Sequence, residues 1–103
     1  MKVILLEPAL HELTEARDYY LKQASARIAA AFVEQFESTA SLILAHPELG
    51  KPVSSRVRAL PISRFPYSVI YRITPDAIIV LGAAVLGVPS LQPLSPTPGL
   101  VLR

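Results

Sequence analysis

Arg56-Val-Arg-Ala-Leu-Pro-Ile-Ser-Arg-Phe-Pro-Tyr-Ser-Val-Ile-Tyr-Arg-Ile73 is the stretch on which the fold turns. Arg56–Leu60 reads as one strand. Tyr67–Ile73, rich in aromatic and β-branched residues, reads as a second. Pro61 to Pro66 marks the turn region between them. Downstream, Thr74-Pro75-Asp76 reads as a tight turn. Ala77–Val85 is then a nearly unbroken apolar run, the pattern of a strand buried on both faces. Three strands joined by short turns predict an antiparallel meander.

Upstream, Lys2–Leu6 reads as a short buried strand that pairs beside the meander. Pro8 suits the first turn of a helix, where its missing N–H costs nothing. Ala9, Leu13, Ala16 and Tyr20 then recur on one helical face, with Glu12, Glu15 and Asp18 off the stripe. Ser25 is positioned to cap a second helix. Ala29, Phe32, Val33, Phe36, Ala40, Ile43 and Leu44 form its apolar stripe, and His46-Pro47 stops it. Glu48–Ser55 reads as a loop punctuated by Gly50 and Pro52. Two helices joined almost without a loop predict an antiparallel hairpin, and its exposed stripes need a sheet to cover. The expected fold class is therefore α+β, in the order β-α-α-β-β-β. An N-terminal helical hairpin packs on a small twisted antiparallel sheet.

The domain reads as residues 1–85. Residues 86–103 form a Pro-rich tail in which Pro89, Pro93, Pro96 and Pro98 interrupt any helical or strand period. That tail is expected to be extended and largely disordered, or docked by its leucines. At 103 residues one domain is the expectation. The chain has no cysteine, which excludes disulfides, thiolate metal sites and a cysteine nucleophile. The apolar run at the N-terminus ends at Glu7-Pro8, so it is no signal peptide. No stretch reaches the roughly 20 apolar residues of a membrane span. A soluble cytoplasmic protein is the expectation.

Charge divides unevenly. Residues 1–48 hold seven acids and four bases, whereas residues 49–103 hold one acid, Asp76, and six bases. Four of those bases (Arg56, Arg58, Arg64 and Arg72) fall inside the hairpin, with no acid among them. Arg56 and Arg58 share a strand face. Arg64 sits in the turn, and Arg72 is expected to face back toward the same area. The planar guanidinium fork suits bidentate contact with phosphate or carboxylate. Three uses are open: RNA backbone binding, stabilisation of charge developing in RNA cleavage, or capture of an acidic partner segment. Pairing with the helix acids is the structural alternative. Tyr67 and Tyr71 are read as packing residues before base-stacking ones. His11 and His46 stand too far apart for a metal site, no serine lies in a nucleophile elbow, and no cofactor is implied.

Taken in order, the motifs Glu12-Leu13-Thr-Glu-Ala16, Tyr19-Tyr20, Phe32…Phe36, His46-Pro47-Glu-Leu-Gly50 and Pro66-Tyr67-Ser-Val-Ile-Tyr71-Arg72-Ile73 resemble the RelE/ParE toxin superfamily of type II toxin–antitoxin modules. The chain looks closer to the ParE branch, often labelled plasmid stabilisation proteins. The resemblance implies growth inhibition by a small toxin and neutralisation by a cognate antitoxin whose C-terminal segment wraps it. ParE-type members poison DNA gyrase. RelE-type members are the enzymatic alternative, cutting mRNA on the ribosome. Arg56, Arg58, Arg64, Tyr67 and Arg72 are then the candidate antitoxin- or target-binding residues, with no catalytic residue assigned. The family's basic and aromatic ending is replaced after Ala84 by Val85-Leu-Gly-Val-Pro. That substitution leaves a degenerate toxin that still binds antitoxin as a third reading.

Overall fold

The computed structural model describes residues 1–85. The Pro-rich tail expected over residues 86–103 lies outside them. The described chain runs β1 (Lys2–Leu5), α1 (Glu7–Gln23), α2 (Ala26–Ala45), a 3₁₀ turn (Pro47–Leu49), β2 (Lys51–Pro52), β3 (Val57–Pro61), β4 (Tyr67–Ile73) and β5 (Ala77–Val85). The five strands form one sheet in the order β1-β5-β4-β3-β2. The last four strands are antiparallel to their sequence neighbours, as the meander requires. β1 pairs with β5 in parallel, Lys2 opposite Ala77 through Leu5 opposite Val80, so the sheet is mixed. The long helical crossover explains this: two antiparallel helices return the chain to the sheet end from which it left.

Local chemistry accounts for the helices. Pro8 stands in the first turn of α1. Ser25 accepts a hydrogen bond from the Ile28 N–H at 3.1 Å and caps α2, satisfying a donor that would otherwise lack an intrahelical partner. His46 ends α2, its N–H bonded to the Leu42 carbonyl, and Pro47 opens the 3₁₀ turn. α2 is also long and apolar enough, by length and composition, to cross a membrane. Here it packs as a hairpin helix, with Phe32 and Ile43 buried against the sheet.

The core lies between the hairpin and one sheet face. Ala9, Leu13 and Ala16 of α1 meet Phe32 and Ile43 of α2 over Val69, Tyr71, Ile78 and Val80. At the end of the layer nearer the β3–β4 turn the packing is aromatic. Phe32 lies 5.2 Å from Phe65 and 5.4 Å from Tyr67, and Tyr20 lies 5.5 Å from Phe32, centroid to centroid. Such tilted and edge-on pairs add to the area they bury.

β5 is less enclosed than its composition suggests. Ile78 and Val80 face the core, while Ile79 and Leu81 are only half-buried. A bulge leaves Leu81 unpaired, because Ile70 opposes Gly82 while Tyr71 opposes Val80. Past Val80, β1 has ended and, among the described residues, no strand follows that edge of β5. A side chain supplies the missing acceptor: Glu12 Oε1 takes the Ala83 N–H at 2.9 Å in a buried bond. Although it lies off the apolar stripe of α1, Glu12 is only 7% exposed. The unpaired edge of β5 draws this carboxylate inward.

Candidate functional site

The registers of β3 and β4 divide the arginines. Arg58 opposes Tyr71 and shares its helix-side face, whereas Arg72 opposes Val57 on the other face. Arg56 precedes Val57 and so lies at the same end of the hairpin. Arg64 sits in the turn at the far end, about 20 Å away along a seven-residue strand. The single cluster expected from the sequence is therefore two groups. Lys51, Arg56, Arg58 and Arg72 gather at one end, and Arg64 stands at the other.

Arg58 is committed to the fold. Its Nη1 donates to the carbonyls of Glu48 (3.1 Å) and Gly50 (2.7 Å). Its cross-strand neighbour Tyr71 reaches the same loop. The Tyr71 hydroxyl donates to the Pro47 carbonyl at 2.7 Å and accepts from the Gly50 N–H at 2.9 Å. Tyr71 is fully buried, so two elements 21 or more residues apart are joined through one phenol. Gly50 is required sterically: a Cβ there would overlap the Tyr71 hydroxyl and lie 2.8 Å from Cε1 and 2.9 Å from Cζ. Four hydrogen bonds thus hold Pro47, Glu48 and Gly50 by their backbones. Leu49, within this loop, projects outward and is 49% exposed.

The other cations have no such partners. Among the described residues, the ion pairs are His11–Glu15 (3.1 Å) and Arg17–Asp18 (3.0 Å), both on α1. Within the same residues no carboxylate stands at ion-pair distance from Lys51, Arg56, Arg64 or Arg72. The alternative in which the hairpin arginines neutralise the helix acids is thus not the arrangement of this fold. Arg64 has φ 72°, in the left-handed region that side chains other than glycine seldom adopt. Ile62 N–H bonds to the Tyr67 carbonyl across this turn at 2.8 Å and holds it closed.

Tyr67 belongs to the aromatic end of the core. Burial, with smaller contributions from Tyr20, Tyr19 and Glu15, pushes its phenol up to about 12. Burial also raises Tyr20, with Tyr19 adding to the effect. Both phenols stay neutral at physiological pH and serve as packing and hydrogen-bonding groups. The chemistry offered by the described surface is contact chemistry: unpaired guanidinium and ammonium groups beside exposed aliphatic side chains. The sequence did not single out Lys51, on the strand beside β3, or the exposed Leu42 and Leu49. The signal available was Leu49, an aliphatic residue between two chain-turning positions.

The described residues thus form a helical hairpin on one face of a five-stranded mixed sheet, an α+β fold. Residues 3–86 match the profile of the ParE toxin of the type II toxin–antitoxin system parDE, and the chain belongs to that family. It is the toxin type of a two-protein module. Among solved structures, the chromosomal ParDE toxin–antitoxin system from P. aeruginosa has the same fold, with a TM-score of 0.73 at 20% identity. The match covers 84% of this chain and 96% of that one. A search of the curated proteins gives no match.

Proposed function

We propose that this toxin acts in the cytoplasm by binding DNA gyrase through protein–protein contact, arresting growth, and that a cognate antitoxin neutralises it. The observation that carries the antitoxin half is electrostatic. Lys51, Arg56, Arg64 and Arg72 stand exposed, with no carboxylate partner among the described residues, so the surface is complementary to an acidic segment. Membership of the ParE family supports gyrase as the target. Arg56, Arg64 and Arg72 are the contacts proposed. Arg58 supports the site by holding the loop of residues 47–50, and Tyr67 supports it by packing.

A supercoiling assay with purified gyrase, relaxed plasmid and the full chain tests this reading. Supercoiling falls as toxin is added, and an equimolar amount of the antitoxin encoded by the adjacent gene restores it. Undiminished supercoiling together with transcripts cleaved on ribosomes would replace gyrase inhibition with the RelE-type activity. Undiminished supercoiling with no growth arrest would make the chain an inactive member of its family.

A further inference from the structure

The helices pack on one face of the sheet, and the composition of the strands makes the other face cationic. None of the five described strands contains Asp or Glu, whereas Lys2, Lys51, Arg58 and Arg72 all lie on them. Strand alternation sorts these bases. Val3, Tyr71 and Ile78 pack toward the helices, and Arg58, opposite Tyr71, shares their side. Lys2 precedes Val3 and Arg72 follows Tyr71, so both point to the outer face. Lys51 opposes Ala59, the residue after Arg58, and points the same way. All three are exposed, and none forms an ion pair among the described residues. Asp76, in the turn before β5, pairs with none of them.

Register sets the three in a line. Lys2 lies level with Ala77, Arg72 with Ile79 and Val57, and Lys51 with Ala59, which opposes Ile70. Each step crosses two strands and advances two residues in the same direction. At about 4.8 Å between strands and about 3.3 Å per residue, neighbours stand roughly 12 Å apart and the ends roughly 24 Å apart. The side chains between them offer little free surface: Ile70 is 8% exposed, and Val57, Ala59 and Ile79 are half-buried. What protrudes is positive charge, which is complementary to a polyanion.

The shape of the face narrows the polyanion. The strand tyrosines, Tyr67 and Tyr71, face the helices, so the line has no ring on which an unpaired base could stack. Peptides are gripped at a sheet edge or in a groove. This surface is the flat of the sheet, and the grooves along α2 open on the helix side. A phosphate backbone needs only cations. The line spans the rise of about seven base pairs. Its step of roughly 12 Å matches the width of the major groove, so successive cations meet phosphates on opposite walls.

We propose that the outer face of the sheet is a contact surface for the backbone of duplex DNA, with Lys2, Arg72 and Lys51 each meeting one phosphate. Phosphate contacts carry no base information, so the binding is independent of sequence. Arg72 is shared with the contacts proposed above. Lys2 is not, and it separates the two readings.

Fluorescence anisotropy of a labelled 20-base-pair duplex, titrated with the full chain in the absence of gyrase and antitoxin, tests this. Three phosphate contacts give a slope of log K against log salt of about −2.7, so affinity falls about 40-fold between 50 and 200 mM salt. Lys2→Gln, Lys51→Gln and Arg72→Gln each reduce that slope by about one. Lys22→Gln, the same charge change on α1, leaves it unchanged. A duplex of unrelated sequence binds within twofold. All four side chains are exposed, so melting temperatures stay at the wild-type value, and if one variant unfolds the others carry the slope test. No binding at 50 mM salt, or a Lys22→Gln effect equal to that of Lys2→Gln, overturns the assignment. Tighter binding of a single-stranded 20-mer overturns it too, as does poly-glutamate that displaces the duplex at equal charge concentration, which would make the face an acidic-protein surface. With gyrase absent, each of these outcomes is independent of whether the chain inhibits supercoiling.

Discussion

Replacing Tyr71 by Phe removes one oxygen atom and leaves the ring in place. That oxygen makes two bonds, donating to the Pro47 carbonyl and accepting from the Gly50 N–H. Without it a carbonyl and a buried N–H lose their partner. Each such loss costs on the order of 1–3 kcal/mol. Arg58 still holds the Glu48 and Gly50 carbonyls, and Pro47 is only half-buried, so the lower half of the range applies to each. The expected sum is about 2–4 kcal/mol. For a domain of this size that is roughly an 8–30 °C fall in Tm. Urea denaturation followed by far-ultraviolet circular dichroism measures it, with the m-value unchanged if the fold is intact. Gly50→Ala is the independent check. Its new methyl group overlaps the Tyr71 hydroxyl, so one of the two must shift and the same bonds stretch. The double variant should then cost clearly less than the sum of the single variants, since both act on one contact. A loss below 0.5 kcal/mol for Tyr71→Phe, or strict additivity with Gly50→Ala, would refute the claim that this phenol clamps the loop.

Other outcomes follow from the same geometry. Phe32 is 1% exposed among three aromatic rings, so Phe32→Ala should destabilise by about 3–5 kcal/mol in the same urea assay. The Tyr67 phenol is raised from the usual 10.0 to about 12. The unfolded chain therefore releases this proton first. The stabilisation is fully present below about pH 10 and is lost as pH rises toward 12. Two pKa units correspond to about 2.7 kcal/mol, which partial solvent exposure of the ring reduces to about 1–1.5 kcal/mol. Guanidinium midpoints between pH 8 and 11.5 should fall less steeply for Tyr67→Phe than for the wild type, and parallel slopes would contradict the assignment. Arg64→Gly relieves a left-handed residue and should be neutral or stabilising by up to about 1 kcal/mol, while antitoxin affinity falls. A clear loss of stability would mean that the Arg64 side chain supports the turn.

What was readable in the sequence was local or periodic. Ser25 as a cap, His46-Pro47 as a stop and the stripe through Phe32 and Ile43 follow from backbone chemistry within a turn or two of each residue. The expected β-α-α-β-β-β order was carried by such signals in succession; it missed only the two-residue β2 (Lys51–Pro52), which lies inside the segment read as the Glu48–Ser55 loop. What was not readable depends on partners distant in sequence. Glu12 binds a backbone N–H 71 residues away, and its spacing on α1 alone marks it as a surface acid. Tyr71 and Gly50 are 21 residues apart, and nothing in either local pattern announces the clamp. The arginines were visible as residues, but their faces were set by register. Pairing Val57 with Arg72 placed Arg72 opposite to Arg58, and the length of β4 carried Arg64 to the other end. The parallel placement of β1 likewise required knowing where the hairpin returned the chain.

The central claim is that this ParE-family chain disables gyrase and is released by its antitoxin. The most direct measurement is plasmid supercoiling by purified gyrase as the full chain is titrated, with and without antitoxin. The account predicts a dose-dependent loss of supercoiled product that equimolar antitoxin reverses. Supercoiling that stays constant at a large molar excess of the folded chain would contradict it.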